Sequence, residues 1–245
     1  MSQRGIQSIE VGGRLLLALA GHGRPLALKD LAQAAGMSPP KAHPYLVSFG
    51  KLGLIVQDGI HDRFVAALGE KVRALKVGDA LDPTTQMGPA VSESQMQISY
   101  KYVDIARSAG GRIVTGGDRL SLENPGWYVQ PTLIADTDAT SRINNEEVFG
   151  PVASTIRVRS YEEALAIANG VEFGLSAGIA TTSLKYARDF QRRARAGMVM
   201  VNLATAGVDY HVGFGGSKKS SYGAREQGFA AVEFFTQHKT AYSWS

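Results

Sequence analysis

The chain has 245 residues, 44% of them hydrophobic, a formal net charge of +4 and no cysteine. That length buries one large core or two smaller ones, and the absence of thiols excludes disulfides, thiolate metal sites and a cysteine nucleophile within these residues. The small positive excess suits a polyanionic partner without requiring one. No stretch approaches the roughly 20 apolar residues of a membrane helix, and the opening MSQRG has no apolar run of the secretory kind, so a cytoplasmic protein with neither membrane nor metal partner is expected.

In residues 6–20, Ile6, Ile9, Gly13, Leu16 and Ala20 recur at three- and four-residue intervals and predict a buried helix that Gly21, Gly23 and Pro25 end. A shorter helix is predicted over residues 28–35, with Leu31 and Ala32 inward and Gly36 at the turn. Ser38 as N-cap and Pro39 in the first turn start a third helix over residues 39–52, burying Leu46, Phe49 and Leu52. Leu54-Ile55-Val56 then reads as a strand. This is the order of a winged helix-turn-helix, whose third helix enters the major groove and whose strand opens the wing; a plain three-helix packing unit has the same pattern.

The run LALKDLAQAAGMSPPKAHPYLVSFGKLGLIVQD resembles the DNA-binding region of the IclR family of bacterial transcription regulators, over residues 4–58. The resemblance implies that Ser38, Lys41, His43 and Tyr45 face DNA, Lys41 on a phosphate and the others on bases or backbone. Two residues depart from it. Pro44 lies inside the recognition helix, at about 3 kcal/mol, and Gly50 adds roughly 1 kcal/mol. The wing has one strand, with nothing after Gly59 reading as its return, and the effector domain that dimerises such regulators does not follow. A seam is therefore expected at Asp58 and Gly59, as if the start of a regulator had been joined in frame to the end of another protein.

Beyond it the pattern alternates. Helices are predicted over residues 62–75, 92–109, 161–169 and 184–195, and strands over 112–115, 154–158, 177–181 and 198–202, an α/β layout with a mainly parallel sheet. The runs IHDRFVAALGEKVRALKVGDALDPTTQMGP, EEVFGPV, FGLSAGIAT, AGMVMVN and FGGSKKSSYGAREQG, in that order, resemble the aldehyde dehydrogenase superfamily from Gly59 to the end, nearest the branch that oxidises α-ketoglutaric semialdehyde. By that resemblance Glu147 is the carboxylate that hydrogen-bonds the nicotinamide ribose and Phe149 the aromatic beside the nicotinamide. A solvated Glu147 and a packed Phe149 are the alternative reading. Asn202 and residues 208–214 would line the substrate tunnel, and residues 234–244 would form the C-terminal strand of the oligomer-building sheet.

Such enzymes use a cysteine nucleophile, a glutamate base and a dinucleotide-binding domain, and none of these is legible here, nor is any Gly-rich phosphate fingerprint. The expected fold is therefore mixed: a small all-α, winged helix-turn-helix module over residues 1–58, followed by a partial α/β aldehyde dehydrogenase catalytic domain over residues 59–245. The expected function is weak DNA-binding regulation, with no catalytic residue, vestigial cofactor contacts at Glu147 and Phe149, and NAD(P) a cofactor by resemblance only. A degenerate dehydrogenase and an oligomerising scaffold, self-associating through the C-terminal strand, are the alternatives.

Overall fold

The computed structural model describes residues 53–205 and 209–244. The three helices expected before them, with Ser38, Lys41, His43, Pro44, Tyr45 and Gly50, lie outside the described residues.

The main sheet has four strands in the order β1-β4-β3-β2, formed by β1 (Leu54–Gln57), β2 (Arg112–Thr115), β3 (Thr132–Ala135) and β4 (Val152–Val158). Both β1 and β3 run parallel to β4, and β2 closes one edge antiparallel to β3. All four residues of β3 are buried, because helices cover both faces of the sheet at that point. On one face α1 (Asp58–Arg73) sets Val65 against Leu133 and Ala135. On the other, α2 (Glu93–Ser108) packs Val103 and Ala106 against Ile134, together with Ile143, Val148 and Val152. The two-residue alternation of a strand thus sends Leu133 and Ala135 to one layer and Ile134 to the other.

The rest of the chain continues through α3 (Arg142–Asn145), α4 (Tyr161–Gly170), β5 (Phe173–Gly174), β6 (Ser176–Ile179), α5 (Leu184–Arg193), β7 (Met198–Val201), β8 (Ser217–Lys218) and α6 (Ala230–Phe235). Parallel β6 and β7 form one small sheet and antiparallel β5 and β8 another. Ser92, Ser160 and Ser183 cap α2, α4 and α5 by accepting from the backbone N–H of Gln95, Glu163 and Tyr186. Each such cap contributes about 1 kcal/mol. No helix among the described residues is long and apolar enough to cross a membrane.

Three features differ from the sequence expectation. Leu54, Ile55 and Val56 do form a strand, but its partner is β4, with Leu54 opposite Thr155 and Val56 opposite Arg157, so the ladder belongs to the α/β sheet and not to a wing. Asp58 and Gly59, read as the seam, are the first residues of α1. Pairing of β1 with β4 is the reason, since it brings Arg157 beside Asp58 at 2.8 Å and into contact with Asp62. A cation shared by residues four apart favours a helical first turn. Beneath it His61, with no exposed surface, meets the Thr155 hydroxyl at 3.3 Å. Last, Phe234 and Phe235 end helix α6, and residues 236–244 form no strand. A strand needs a neighbour to complete its ladder, and among the described residues none is paired with this stretch.

Candidate functional site

Glu147 and Phe149 sit on the turn that links α3 to β4, and the sequence around them explains its rigidity. Ile143 and Asn144 of α3 are buried, and Val148, at 8% exposure, enters the core layer under α2. Its neighbours on either side are thereby turned outward. Glu147 is exposed and makes no hydrogen bond or ion pair among the described residues. Phe149 is 61% exposed and has a positive φ of 51°, a conformation that costs a bulky residue about 1–2 kcal/mol.

Helix α2 holds the turn from below. The Gln95 amide donates to the carbonyls of Val148 at 3.3 Å and Phe149 at 2.8 Å. Gly150 lies so close to Ser99 that a Cβ there would fall 2.2 Å from its Oγ. The Pro151 carbonyl accepts from the Thr132 N–H at 2.8 Å, which ties the far end to β3. Before the turn, the Glu146 carboxylate takes two bonds from the Arg142 guanidinium, each 2.8 Å, and one from the Tyr102 hydroxyl at 2.7 Å. The result is a pinned loop that presents one carboxylate and one aromatic ring to solvent. A carboxylate accepts hydrogen bonds from hydroxyls, and an aromatic ring stacks on a flat partner.

The Arg142 and Tyr102 donors, Arg142 first, pull the Glu146 pKa from 4.5 to about 2. Because the folded value lies below the ordinary one, the stability this carboxylate lends is complete above pH 4.5 and is lost as pH falls toward 2. Glu146→Gln should accordingly flatten the acid limb of a plot of Tm against pH, with the variant and wild-type curves converging near the bottom of that window. An acid limb unchanged by the substitution would show that the cluster adds nothing.

The other expected tunnel residues do not gather here. Asn202, at φ 54°, is exposed and clasps Thr181 through both main-chain groups, accepting from its N–H at 2.8 Å and donating to its carbonyl at 2.9 Å. Its role in the structure is to close the β6–β7 pair. Val208 is outside the described residues; beyond it the Tyr210 and His211 rings lie tilted against each other with centres 3.8 Å apart, and Tyr210 and Val212 are exposed. Sequence reading passed over Gln95, Tyr102 and Asn144. A signal existed only for the last, since two consecutive asparagines are poor helix formers that favour bonding to backbone.

A mainly parallel sheet covered by helices on both faces, with a carboxylate and an aromatic ring exposed on a loop, is an α/β arrangement of the kind that places function on its loops. The particular class is narrower: the chain belongs to the aldehyde dehydrogenase family, whose model matches residues 52–241. Residues 8–59 match the IclR helix-turn-helix domain. The chain is 39% identical over 247 aligned residues to an alpha-ketoglutarate semialdehyde dehydrogenase of Haloferax volcanii, covering 96% of this chain and 50% of that protein. It is 40% identical to an alpha-ketoglutaric semialdehyde dehydrogenase of Bacillus subtilis, over 77% of this chain and 39% of that one.

Among solved structures, a putative aldehyde dehydrogenase from Burkholderia cenocepacia superposes with a TM-score of 0.71 at 39% identity, covering 75% of this chain and 38% of the other. A betaine aldehyde dehydrogenase from Staphylococcus aureus, solved in complex with NAD+, gives 0.70 at 31% identity, over 74% of this chain and 36% of its own. The chain thus spans half or less of the length of the relatives it matches. The family match opens at residue 52, ahead of the expected seam, in agreement with the place of β1 in the sheet.

Proposed function

We propose that this protein is a DNA-binding regulator of IclR type carried on an aldehyde dehydrogenase-family body that does not oxidise aldehydes, with the division between the two parts at Gly53 rather than at residue 58. The observation that carries the reading is the pairing of a helix-turn-helix match over residues 8–59 with a chain that holds no cysteine at all. Without a thiolate the covalent adduct of the family's chemistry has no nucleophile, and loss of such a group removes many orders of magnitude of rate. Ser38, Lys41, His43 and Tyr45 are the proposed DNA-facing residues, with Lys41 on phosphate.

Glu147 and Phe149 fit one side of a nicotinamide nucleoside, the carboxylate accepting from ribose hydroxyls and the ring lying beside the base. The pinned turn keeps them in place for it. Both side chains are exposed, so contact from this turn alone holds a nucleotide weakly, and NAD(P) is a vestigial ligand in this reading.

The test pairs two assays on the purified protein. Mobility shift against promoter duplex from its own locus should show binding that weakens with salt and prefers promoter over random sequence, while incubation with semialdehydes and NAD+ or NADP+ should yield no NADH or NADPH. Any turnover overturns the inactive assignment, and equal affinity for both duplexes overturns the regulator.

A second reading, self-association, rests on the exposed apolar side chains near the C-terminus, with Phe229 at 95%, Phe235 at 76% and Trp244 at 100% exposure. Apolar surface in that density marks a contact face. A single monomeric species on size-exclusion chromatography at micromolar concentration would dismiss it.

A further inference from the structure

The charge of this chain is unevenly placed. Residues 184–195 carry five cations against one carboxylate, Asp189, an excess equal to the +4 of the whole chain. The remainder of residues 53–245 carries 15 cations against 19 carboxylates. The aldehyde dehydrogenase-like body is therefore acidic except along α5.

The helix arranges that charge on one side. Phe190 is buried and Tyr161 stacks on Tyr186 at 4.6 Å, which defines the inward face of α5. Asp189, the one acid, is held near that face by the Tyr161 hydroxyl at 2.9 Å and by Arg193 at 3.0 Å. Lys185, Arg188 and Arg192 recur at three- and four-residue intervals on the opposite face, and Arg195 follows just past the helix end. All four are exposed. Among the described residues Lys185, Arg188 and Arg195 form no ion pair, and Arg192, 78% exposed, has one contact with Asp189 at 3.4 Å. From Lys185 to Arg192 the stripe is about 10 Å long, at 1.5 Å per residue.

We infer that this face of α5 is a second DNA-contacting surface, taking the phosphate backbone of a duplex without reading its sequence. Duplex DNA offers about one negative charge per 1.7 Å of axis, so a stripe of that length faces several phosphates at once. Arginine, which supplies most of it, matches phosphate oxygens with its planar fork. Duplex DNA is favoured over other polyanions because the same chain matches a helix-turn-helix domain, and the inference rests on that DNA-binding reading. Phosphate contacts supply affinity independent of base readout.

The experiment measures affinity of the full chain for a random-sequence duplex against salt concentration, in three proteins: wild type, the triple variant Lys185→Gln/Arg188→Gln/Arg192→Gln, and Lys41→Gln. Each lost phosphate contact lowers the slope of log K against log salt by about 0.9. The triple variant is expected to lose about 2.7, and Lys41→Gln about 0.9, with little change in Tm for the triple variant because Lys185, Arg188 and Arg192 are exposed and make only peripheral contacts, Lys185 over the Tyr186 ring at 6.0 Å and Arg192 with Asp189 at 3.4 Å. A triple variant with the wild-type slope overturns the α5 surface, and a loss for Lys41→Gln in that case leaves the regulator reading standing. A loss for the triple variant with none for Lys41→Gln, and no promoter preference, keeps the α5 surface and removes the regulator reading. Binding to single-stranded RNA as tight as to duplex, with the same loss in the triple variant, overturns the assignment to duplex DNA.

Discussion

Gly116→Ala is expected to destabilise the protein by about 2–5 kcal/mol, the sum of about 1–2 for a left-handed backbone and 1–3 for overpacking. Gly116 follows β2 at φ 79°, just after the register of the β2–β3 pair shifts between Ile113 and Thr115. A Cβ there would lie 2.3 Å from the Pro131 carbonyl oxygen and 2.7 Å from the Thr132 Cα. These are backbone atoms at the start of the buried strand β3, and they cannot retreat cheaply. Thr132 is 2% exposed, its N–H donates to Pro131's neighbour across the sheet, the Pro151 carbonyl, and its hydroxyl bonds Gly117 N–H and the Gln130 carbonyl. Gly117→Ala supplies the control, because φ there is also positive at 97° while the nearest atom to a Cβ is 3.5 Å away. It should cost only the conformational part. Urea denaturation of both variants decides the matter: equal losses would mean that the close approach to β3 is worth nothing.

Asn144→Ala should cost about 3 kcal/mol, from a buried acceptor and donor left unmatched and a small cavity. The Asn144 amide donates to the Thr137 hydroxyl at 2.9 Å and the Asp138 carbonyl at 2.7 Å, and its oxygen accepts from the Ser154 hydroxyl at 2.7 Å. Asn144 and Ser154 are each 3% exposed. One side chain therefore fastens α3, the turn before it and β4 together, directly ahead of the loop that bears Glu147 and Phe149. Once Asn144 is gone, Ser154 retains no reason to be polar, so adding Ser154→Ala should recover part of the loss. A double-mutant cycle with coupling near 1 kcal/mol is expected; strict additivity would show that the two residues act independently.

The elements of the aldehyde dehydrogenase-like body were legible because hydrophobic spacing and caps are local. The helices expected over residues 92–109, 161–169 and 184–195 are present as α2, α4 and α5, each begun in the structure by a capping serine. The strand at residues 112–115 and the helix beginning at Leu184 fall where the pattern places them. Family membership was legible as well, since EEVFGPV and FGGSKKSSYGAREQG are long, ordered runs and the family match spans residues 52–241.

Pairing was not legible. Leu54-Ile55-Val56 has the composition of any short strand, and nothing local distinguishes a wing from the edge of an α/β sheet; the difference lies in β4, about a hundred residues away, whose backbone completes the ladder and whose Arg157 recruits Asp58 and Asp62 into α1. The same holds for the candidate site. The motif shows that Glu147 and Phe149 are a carboxylate and an aromatic ring, whereas their exposure and the positive φ of Phe149 depend on Val148 being buried under α2 and on Gln95 reaching two carbonyls more than fifty residues away. Residues 236–244 make the point in reverse, for their alternating pattern is strand-like, yet they form no strand. By itself the sequence determined the longer helices, several of the strands and the family the chain belongs to, through spacing and side-chain chemistry that act over a few residues, but not the buried strand β3. Tertiary structure alone decided which strands pair and which side chains face solvent, because a ladder, an ion pair or a buried amide exists only when its distant partner is in place.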